Sequence, residues 1–160
     1  MSSTNLTTCL WFNGNGEEAA RFYTSIFKDS SLGRINHFTA AGPGPEGTVA
    51  TVEFTLNGQN FIALNGGPTF TFTQAFSLQV PCADQAEVDY YWDALTAGGE
   101  GARGGWLKDK YGLSWQVIPA VLPDMLNAPD RAKAARAAKA MMGTAGKFDV
   151  AALQAAFDEG

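Results

Sequence analysis

The apolar positions of this chain change period along its length, and each period predicts a secondary-structure element. Between Leu113 and Ile118 the residues alternate, with Leu113, Trp115 and Val117 on one side of the chain. A period of two predicts a strand that packs one face and turns Ser114, Gln116 and Ile118 to the other. The whole stretch 104–119 predicts a β-hairpin, in which residues 108–110 form a solvated turn.

A second pattern, in which apolar residues recur every three or four positions, predicts amphipathic helices. One such helix follows Asn15 and another follows Asp84, each with a glutamate three residues after the cap. This capping-box spacing predicts that both side chains accept a hydrogen bond from their helix N-termini.

The order of predicted elements repeats. One constant shift in residue number pairs Asn15 with Asp84 and Thr8 with Ser77. Each unit contains a strand, a helix, and strands that end in a hairpin, marked in the first unit by Asn57-Gly58. The fold class is therefore predicted as α+β, with two paired βαβββ modules that form a curved mixed sheet around a cleft.

The repeat sets the domain boundaries. The modules are predicted at roughly 5–68 and 74–119, so that 1–119 forms one domain. Residues 120–160 are alanine-rich and predict three short helices. We expect this tail to pack on the domain, on a partner subunit or over the mouth of the cleft.

Composition narrows the possible partners. The 160 residues are 46% hydrophobic and 17% charged, with a formal net charge of −5. An acidic chain is a poor partner for nucleic acid or an anionic membrane, and no apolar run approaches the length of a membrane span. Neither a basic nor an apolar leader is visible, so the expected location is the cytoplasm. Cys9 and Cys82 are expected to be two buried free thiols.

Four segments of the chain, 9–14, 63–68, 87–92 and 105–119, read CLWFNG, ALNGGP, EVDYYW and GWLKDKYGLSWQVIP, and residues 148–157 of the tail read FDVAALQAAF. Together they resemble a known family: the PhnB-like branch of the vicinal oxygen chelate superfamily, often labelled 3-demethylubiquinone-9 3-methyltransferase. The superfamily also includes glyoxalase I, extradiol dioxygenases and bleomycin-resistance proteins. The resemblance covers roughly the whole chain and implies paired βαβββ modules, usually in a dimer.

The resemblance also implies where a site would lie, because the superfamily's usual metal ligands come from the first and last strands of each module. Here those positions hold no imidazole or carboxylate, and metal-binding relatives have Glu at the position of Gln116. Neutral hydroxyls and amides are poor ligands for zinc or iron, so no metal and no cofactor is expected. No catalytic residue can be assigned. The candidate residues for a ligand-binding cleft are Thr8, Asn65, Ser77, Gln79, Trp106 and Gln116.

Two functional hypotheses remain. The first is a protein that binds a small oxygenated or quinone-like molecule in a metal-free cleft. The second is an enzyme of the superfamily, of lyase, isomerase or dioxygenase type, or the methyltransferase of the family label. Open sheet edges and the apolar faces of the tail helices favour a homodimer, in which the tail contacts the partner or covers the cleft mouth.

Overall fold

A computed structural model of the protein describes residues 4–159. The chain divides into two compact units, Met1–Thr71 and Phe72–Gly160. Each unit contains one module of the sequence repeat, and the second unit also contains the C-terminal tail.

The first module is a four-stranded sheet with one helix against it. Its elements are β1 (Thr7–Phe12), α1 (Gly16–Ile26), β2 (Ser31–His37), β3 (Val49–Leu56) and β4 (Gln59–Asn65). Strand β1 runs parallel to β4, and the other neighbours are antiparallel, in the order β1-β4-β3-β2. The predicted Asn57-Gly58 turn joins β3 to β4, and both residues have positive φ angles (49° and 76°), as a tight hairpin turn requires.

The second module repeats this topology. Its elements are β5 (Ser77–Cys82), α2 (Gln85–Thr96), β6 (Glu100–Gly101), β7 (Trp106–Lys108) and β8 (Ser114–Pro119). The strand order is β5-β8-β7-β6, with β5 parallel to β8 and the other pairs antiparallel. A short 3-10 turn at Arg103–Gly105 leads into β7. The α+β prediction of two βαβββ modules followed by C-terminal helices is confirmed.

In both modules one face of the sheet packs against the helix. In the first module this face holds Leu10, Phe12, Phe54 and Phe61, all at most 3% exposed. The rings of Phe54 and Phe61 stack with their centroids 5.3 Å apart. The other face, which we call the open face, holds the alternate residues of each strand.

The two helices begin differently, and the prediction for Asn15 is wrong. Asp84 accepts a hydrogen bond from the Glu87 amide at 2.9 Å, and the Glu87 carboxylate accepts one from the Ala83 amide. The side chain of Asn15 makes no such bond, because its ψ of 22° lies outside the extended region that caps adopt. Asn65 takes its place. It accepts from the Gly16 amide at 2.9 Å and donates to the Val49 carbonyl.

This difference makes a quantitative prediction about the caps. Asp84→Ala should lower the free energy of unfolding by about 1 kcal/mol, since it removes a capping acceptor. Asn15→Ala should change it by less than about 0.5 kcal/mol, as for an ordinary surface substitution. Urea denaturation followed by circular dichroism measures both. An equal loss in the two variants would contradict the assignment of Asn65 as the acceptor.

The tail forms three helices that pack within the second unit: α3 (Val121–Leu126), α4 (Arg131–Gly143) and α5 (Val150–Asp158). The Gln85 side chain of α2 donates to the Phe148 carbonyl and accepts from the Val150 amide, at 3.0 and 2.8 Å. Phe148 is 1% exposed. Of the three locations expected for the tail, the structure shows packing on its own module.

Among the described residues, no helix has both the length and the apolar composition needed to cross a membrane.

Candidate functional site

Three polar side chains form a hydrogen-bonded row on the open face of the second module. Gln79 lies directly opposite Gln116 in the β5–β8 pair, and Ser77 precedes Gln79 by two residues, so all three point to the same side. Gln79 Nε2 donates to Gln116 Oε1 at 3.3 Å, and Gln116 Nε2 donates to Ser77 Oγ at 2.8 Å. We call these three residues the polar row.

Trp106 borders the polar row. It lies opposite Gln116 in the antiparallel β7–β8 pair, so the indole and the amide share a face. Trp106 is half-buried, and it lines a hollow of about 230 Å³ together with Gln74 and Lys108 among others. An aromatic side chain therefore stands beside a neutral hydrogen-bonding surface.

Ser114 belongs to the same face, and the sequence did not single it out. It pairs with Ser77 across β5 and β8 and is 1% exposed. Within the described residues its hydroxyl has no hydrogen-bond partner. A buried hydroxyl without a partner costs about 1–3 kcal/mol, so such groups are often found at sites of function. A serine inside a predicted strand gave no signal of this burial.

Asp109 holds the hairpin that presents Gln116 and Trp106. Its carboxylate accepts hydrogen bonds from the Tyr111 amide, the Leu113 amide and the Trp115 indole, at 2.8 to 3.1 Å. Asp109 is only 3% exposed. The expected solvated turn is therefore wrong at this residue, since three donors along the turn converge on one buried acceptor.

Thr8 and Asn65, the candidates from the first module, are not on its open face. Thr8 lies on the same face of β1 as Leu10 and Phe12, which pack towards α1. Asn65 lies on the same face of β4 as the buried residues Phe61 and Ala63. Its amide accepts a hydrogen bond from Gly16 and donates one to Val49. Of the six candidates, the structure brings together Ser77, Gln79, Trp106 and Gln116.

The displacement of Thr8 has a simple cause. The spacing of the helix caps pairs Thr8 with Ser77, but β1 begins at Thr7 and β5 at Ser77. Corresponding strand residues of the two modules therefore lie one position further apart in the sequence than corresponding helix residues. The residue of the first module that corresponds to Gln79 is thus Cys9. Because Cys9 lies opposite an isoleucine of β4, the first module has no polar row at this place.

A larger hollow of about 500 Å³ lies in the first module, between α1 and the loop that follows β2. Two of its polar lining residues are already partnered. The Asn65 amide is bonded at both ends, and Glu17 forms an ion pair with Arg21 at 2.9 Å. Its greater size alone therefore does not make this hollow the better candidate.

Comparison with known proteins places this fold in a family. A family model described as 3-demethylubiquinone-9 3-methyltransferase matches residues 4–118, which is more than half of the chain. The chain belongs to this family. The match ends just before α3, so the tail lies outside it. No curated protein matches.

Solved structures agree with this assignment. A putative 3-demethylubiquinone-9 3-methyltransferase, PhnB protein, from Bacillus cereus is 41% identical, with a TM-score of 0.66; the match covers 73% of this chain and 100% of that one. The fosfomycin resistance protein FosX from Listeria monocytogenes is 16% identical, with a TM-score of 0.53, covering 79% and 98%. FosX from Mesorhizobium loti is 13% identical, with a TM-score of 0.55, covering 80% and 100%. At these low identities the two FosX structures show that the fold is shared.

The divalent metal that the resemblance to the vicinal oxygen chelate superfamily implies does not fit the residues of the polar row. Ser77, Gln79 and Gln116 supply one hydroxyl and two amides, whereas zinc and iron sites are built from imidazole, thiolate and carboxylate. Within residues 4–159, no cluster of three or more His, Cys, Asp or Glu side chains could hold a metal ion. We therefore derive no step through a metal in this family member.

The two thiols are also unsuited to act as ligands. Cys82 is buried, and this burial together with Glu87 and Asp84 raises the pKa of its thiol to about 12. Cys9 is exposed, which corrects the expectation of two buried thiols, and partial burial of its sulfur still raises its pKa. A raised pKa favours the neutral thiol at physiological pH, and metal coordination and nucleophilic attack both need the thiolate.

Proposed function

We propose that this protein binds a small, neutral, oxygenated molecule of quinone-like character on the open face of its second module, without a metal. The observation that carries the proposal is the hydrogen-bonded row Ser77–Gln116–Gln79 with Trp106 opposite Gln116. The row is preorganised, because each amide is already oriented by its neighbour.

The row offers both donors and acceptors to a ligand. Gln116 uses its carbonyl and one N–H within the row, which leaves a second N–H, and the Ser77 hydroxyl accepts within the row and can still donate. A ligand carbonyl would accept from these groups, and a ligand hydroxyl would donate to the Gln79 carbonyl. The buried Ser114 hydroxyl adds one more possible donor.

The absence of charge from the row selects the ligand class. A charged group moved from water to a partly buried surface needs an opposite charge, and these side chains supply none. The charged residues of the hollow beside Trp106, Lys108 and Glu100, form an ion pair with each other at 3.8 Å. The flat indole of Trp106 favours a planar ligand ring, since offset stacking of aromatic systems adds about 0.5–1.5 kcal/mol. A neutral quinone or aromatic ketone satisfies both conditions.

Methyl transfer, which the family description names, finds less support. A sulfonium methyl donor is cationic, and the polar row contains no carboxylate to face it. We therefore derive no methyl-transfer step.

Duroquinone, a neutral quinone whose ring is fully substituted and cannot add thiols, is a suitable probe. Titration calorimetry should show saturable binding to the full-length protein. Gln116→Leu preserves volume but removes the central amide, and should weaken binding about tenfold, as expected for one or two lost hydrogen bonds. The matched control is Gln154→Leu on the exposed surface of α5, which should leave affinity unchanged.

Two results would contradict the proposal: no saturable binding to the wild-type protein, or equal affinity of the Gln116 and Gln154 variants. Elemental analysis of protein purified without chelator adds an independent check. A full equivalent of metal that is lost in Gln116→Leu would instead favour the metalloenzyme alternative.

We also propose that the protein is a cytoplasmic homodimer. Each sheet has two edge strands within its own module, and exposed edges favour association with a second copy. Sedimentation velocity at micromolar concentration should show a dimer, and a monomer at high micromolar concentration would refute it.

A further inference from the structure

The turn at Arg103–Gly105, immediately before Trp106, is hydrogen-bonded to the C-terminal tail. The Gly104 amide donates to the Thr144 carbonyl and the Gly105 amide to the Gly146 carbonyl, both at 3.0 Å. The Arg103 guanidinium donates to the Met142 carbonyl at 3.2 Å. Three consecutive residues of the turn are thus bonded to the last residues of α4 and to the segment that joins α4 to α5.

The sequence of this turn explains why it needs such support. Gly104 and Gly105 are consecutive glycines with φ of 63° and 78°. Glycine loses more backbone entropy on ordering than any other residue, so an isolated glycine pair does not hold one conformation. Trp106 closes the turn itself, since its amide donates to the Arg103 carbonyl and its carbonyl accepts from the Ala102 amide. The tail adds support from outside at the two glycines.

Phe148 completes this contact. Its ring packs so closely on Gly105 that a Cβ placed there would lie 2.7 Å from the ring. Gln85 holds the chain beside Phe148, because it donates to the Phe148 carbonyl and accepts from the Val150 amide. The neighbouring ion pair between Lys147 and Asp89, at 2.8 Å, adds to this. The tail is therefore fastened to α2 at one end and to the turn at the other.

We propose that the C-terminal tail is a positioning element for the candidate site: Phe148 and residues 144–146 hold the turn that keeps Trp106 opposite Gln116, and so set the affinity of the polar row for its ligand. The part of this proposal that concerns ligand affinity rests on the proposed function. Phe148 acts through the turn and is a positioning residue. The family model ends at residue 118, so this support is added by the part of the chain beyond the family match.

The test compares Phe148→Ala with Phe157→Ala, the same substitution on α5 at a half-buried ring close to Lys133. Hydrogen exchange should show the amides of Gly104 and Gly105 exchanging about tenfold faster in Phe148→Ala, because local opening becomes easier. The ¹⁹F resonance of 5-fluorotryptophan at position 106, assigned with Trp106→Phe, should shift.

Duroquinone affinity should fall about fivefold, since ordering of the turn then opposes binding. Phe157→Ala should change none of these, and Phe148→Leu should restore most of the affinity.

The outcomes separate the two proposals. If wild-type protein does not bind duroquinone, the proposed function falls, and exchange and the ¹⁹F resonance alone decide whether the tail positions the turn. If wild-type protein binds and Phe148→Ala has unchanged affinity, or if exchange and resonance do not change, the positioning role is overturned. Should Phe148→Ala fail to fold, Gln85→Ala removes two hydrogen bonds to the same segment and replaces it under the same criteria.

Discussion

Gly105→Ala is expected to destabilise the protein by about 3–4 kcal/mol, a large fraction of the roughly 5–15 kcal/mol typical of a folded domain. Two costs combine at this position. The φ of 78° is strained for any residue with a Cβ, and the added methyl group would clash with the Val117 carbonyl and the Phe148 ring. Chemical denaturation gives the free energy of unfolding.

Two other glycines separate these costs. Gly112 has a φ of 86° but open space where a methyl group would be added, so Gly112→Ala should cost only about 1 kcal/mol, from backbone strain. Gly143 ends α4 with neither restriction, and Gly143→Ala should lie within about 0.5 kcal/mol of wild type. A Gly105 variant no less stable than the Gly112 variant would show that Phe148 does not pack on the turn as described.

Removal of the Asp109 carboxylate should be as damaging. Asp109→Ala leaves three donors at a buried turn without their acceptor, and each such loss costs about 1–3 kcal/mol, so a total near about 4 kcal/mol is expected. Asp109→Asn keeps one oxygen and should cost about half as much. Asp93→Asn, at an exposed position of α2, is the control and should have almost no effect.

A double-mutant cycle isolates the bond between the carboxylate and the indole. Trp115→Phe removes the indole N–H that donates to Asp109 Oδ2 at 2.8 Å. In that background Asp109→Asn should cost about 1 kcal/mol less than in the wild type, because the donor it would leave unpaired is already gone. Full additivity of the two substitutions would exclude this bond as a contributor to stability.

The sequence was informative about the fold because local patterns and caps are read directly from neighbouring residues. Alternation in β8 correctly predicted which side Gln116 faces, and the capping box at Asp84 was confirmed. Asn15 carried the same local signal and failed, because Asn65, from the distant strand β4, bonds the helix N-terminus instead. No local pattern contains a contact of that range.

The candidate site was less predictable, because strand faces depend on single-residue register. The spacing of the helix caps predicts that Thr8 corresponds to Ser77 of the second module. In the strands themselves, the residue that corresponds to Ser77 is Thr7. In a structure of period two, a displacement by one position moves a side chain to the opposite face. Ser114 was missed for a different reason: its burial arises from tertiary packing, which residue type alone does not reveal. Asp109 was missed although its three donors lie within the same hairpin, because a charged residue at a turn is more often solvated.

The parallel pairing of β1 with β4 also determines the order in which the first module can form during synthesis. Thr7 must wait until its partner Asn60 has been synthesised, after α1, β2 and β3, whereas β3 and β4 are joined by a tight turn. At the usual rate of chain elongation, roughly 3–10 s separate β1 and β4 as they leave the ribosome. During this time the strand that carries Leu10 and Phe12 lacks its neighbour in the sheet, so we expect apolar surface of the first module to stay exposed until β4 emerges.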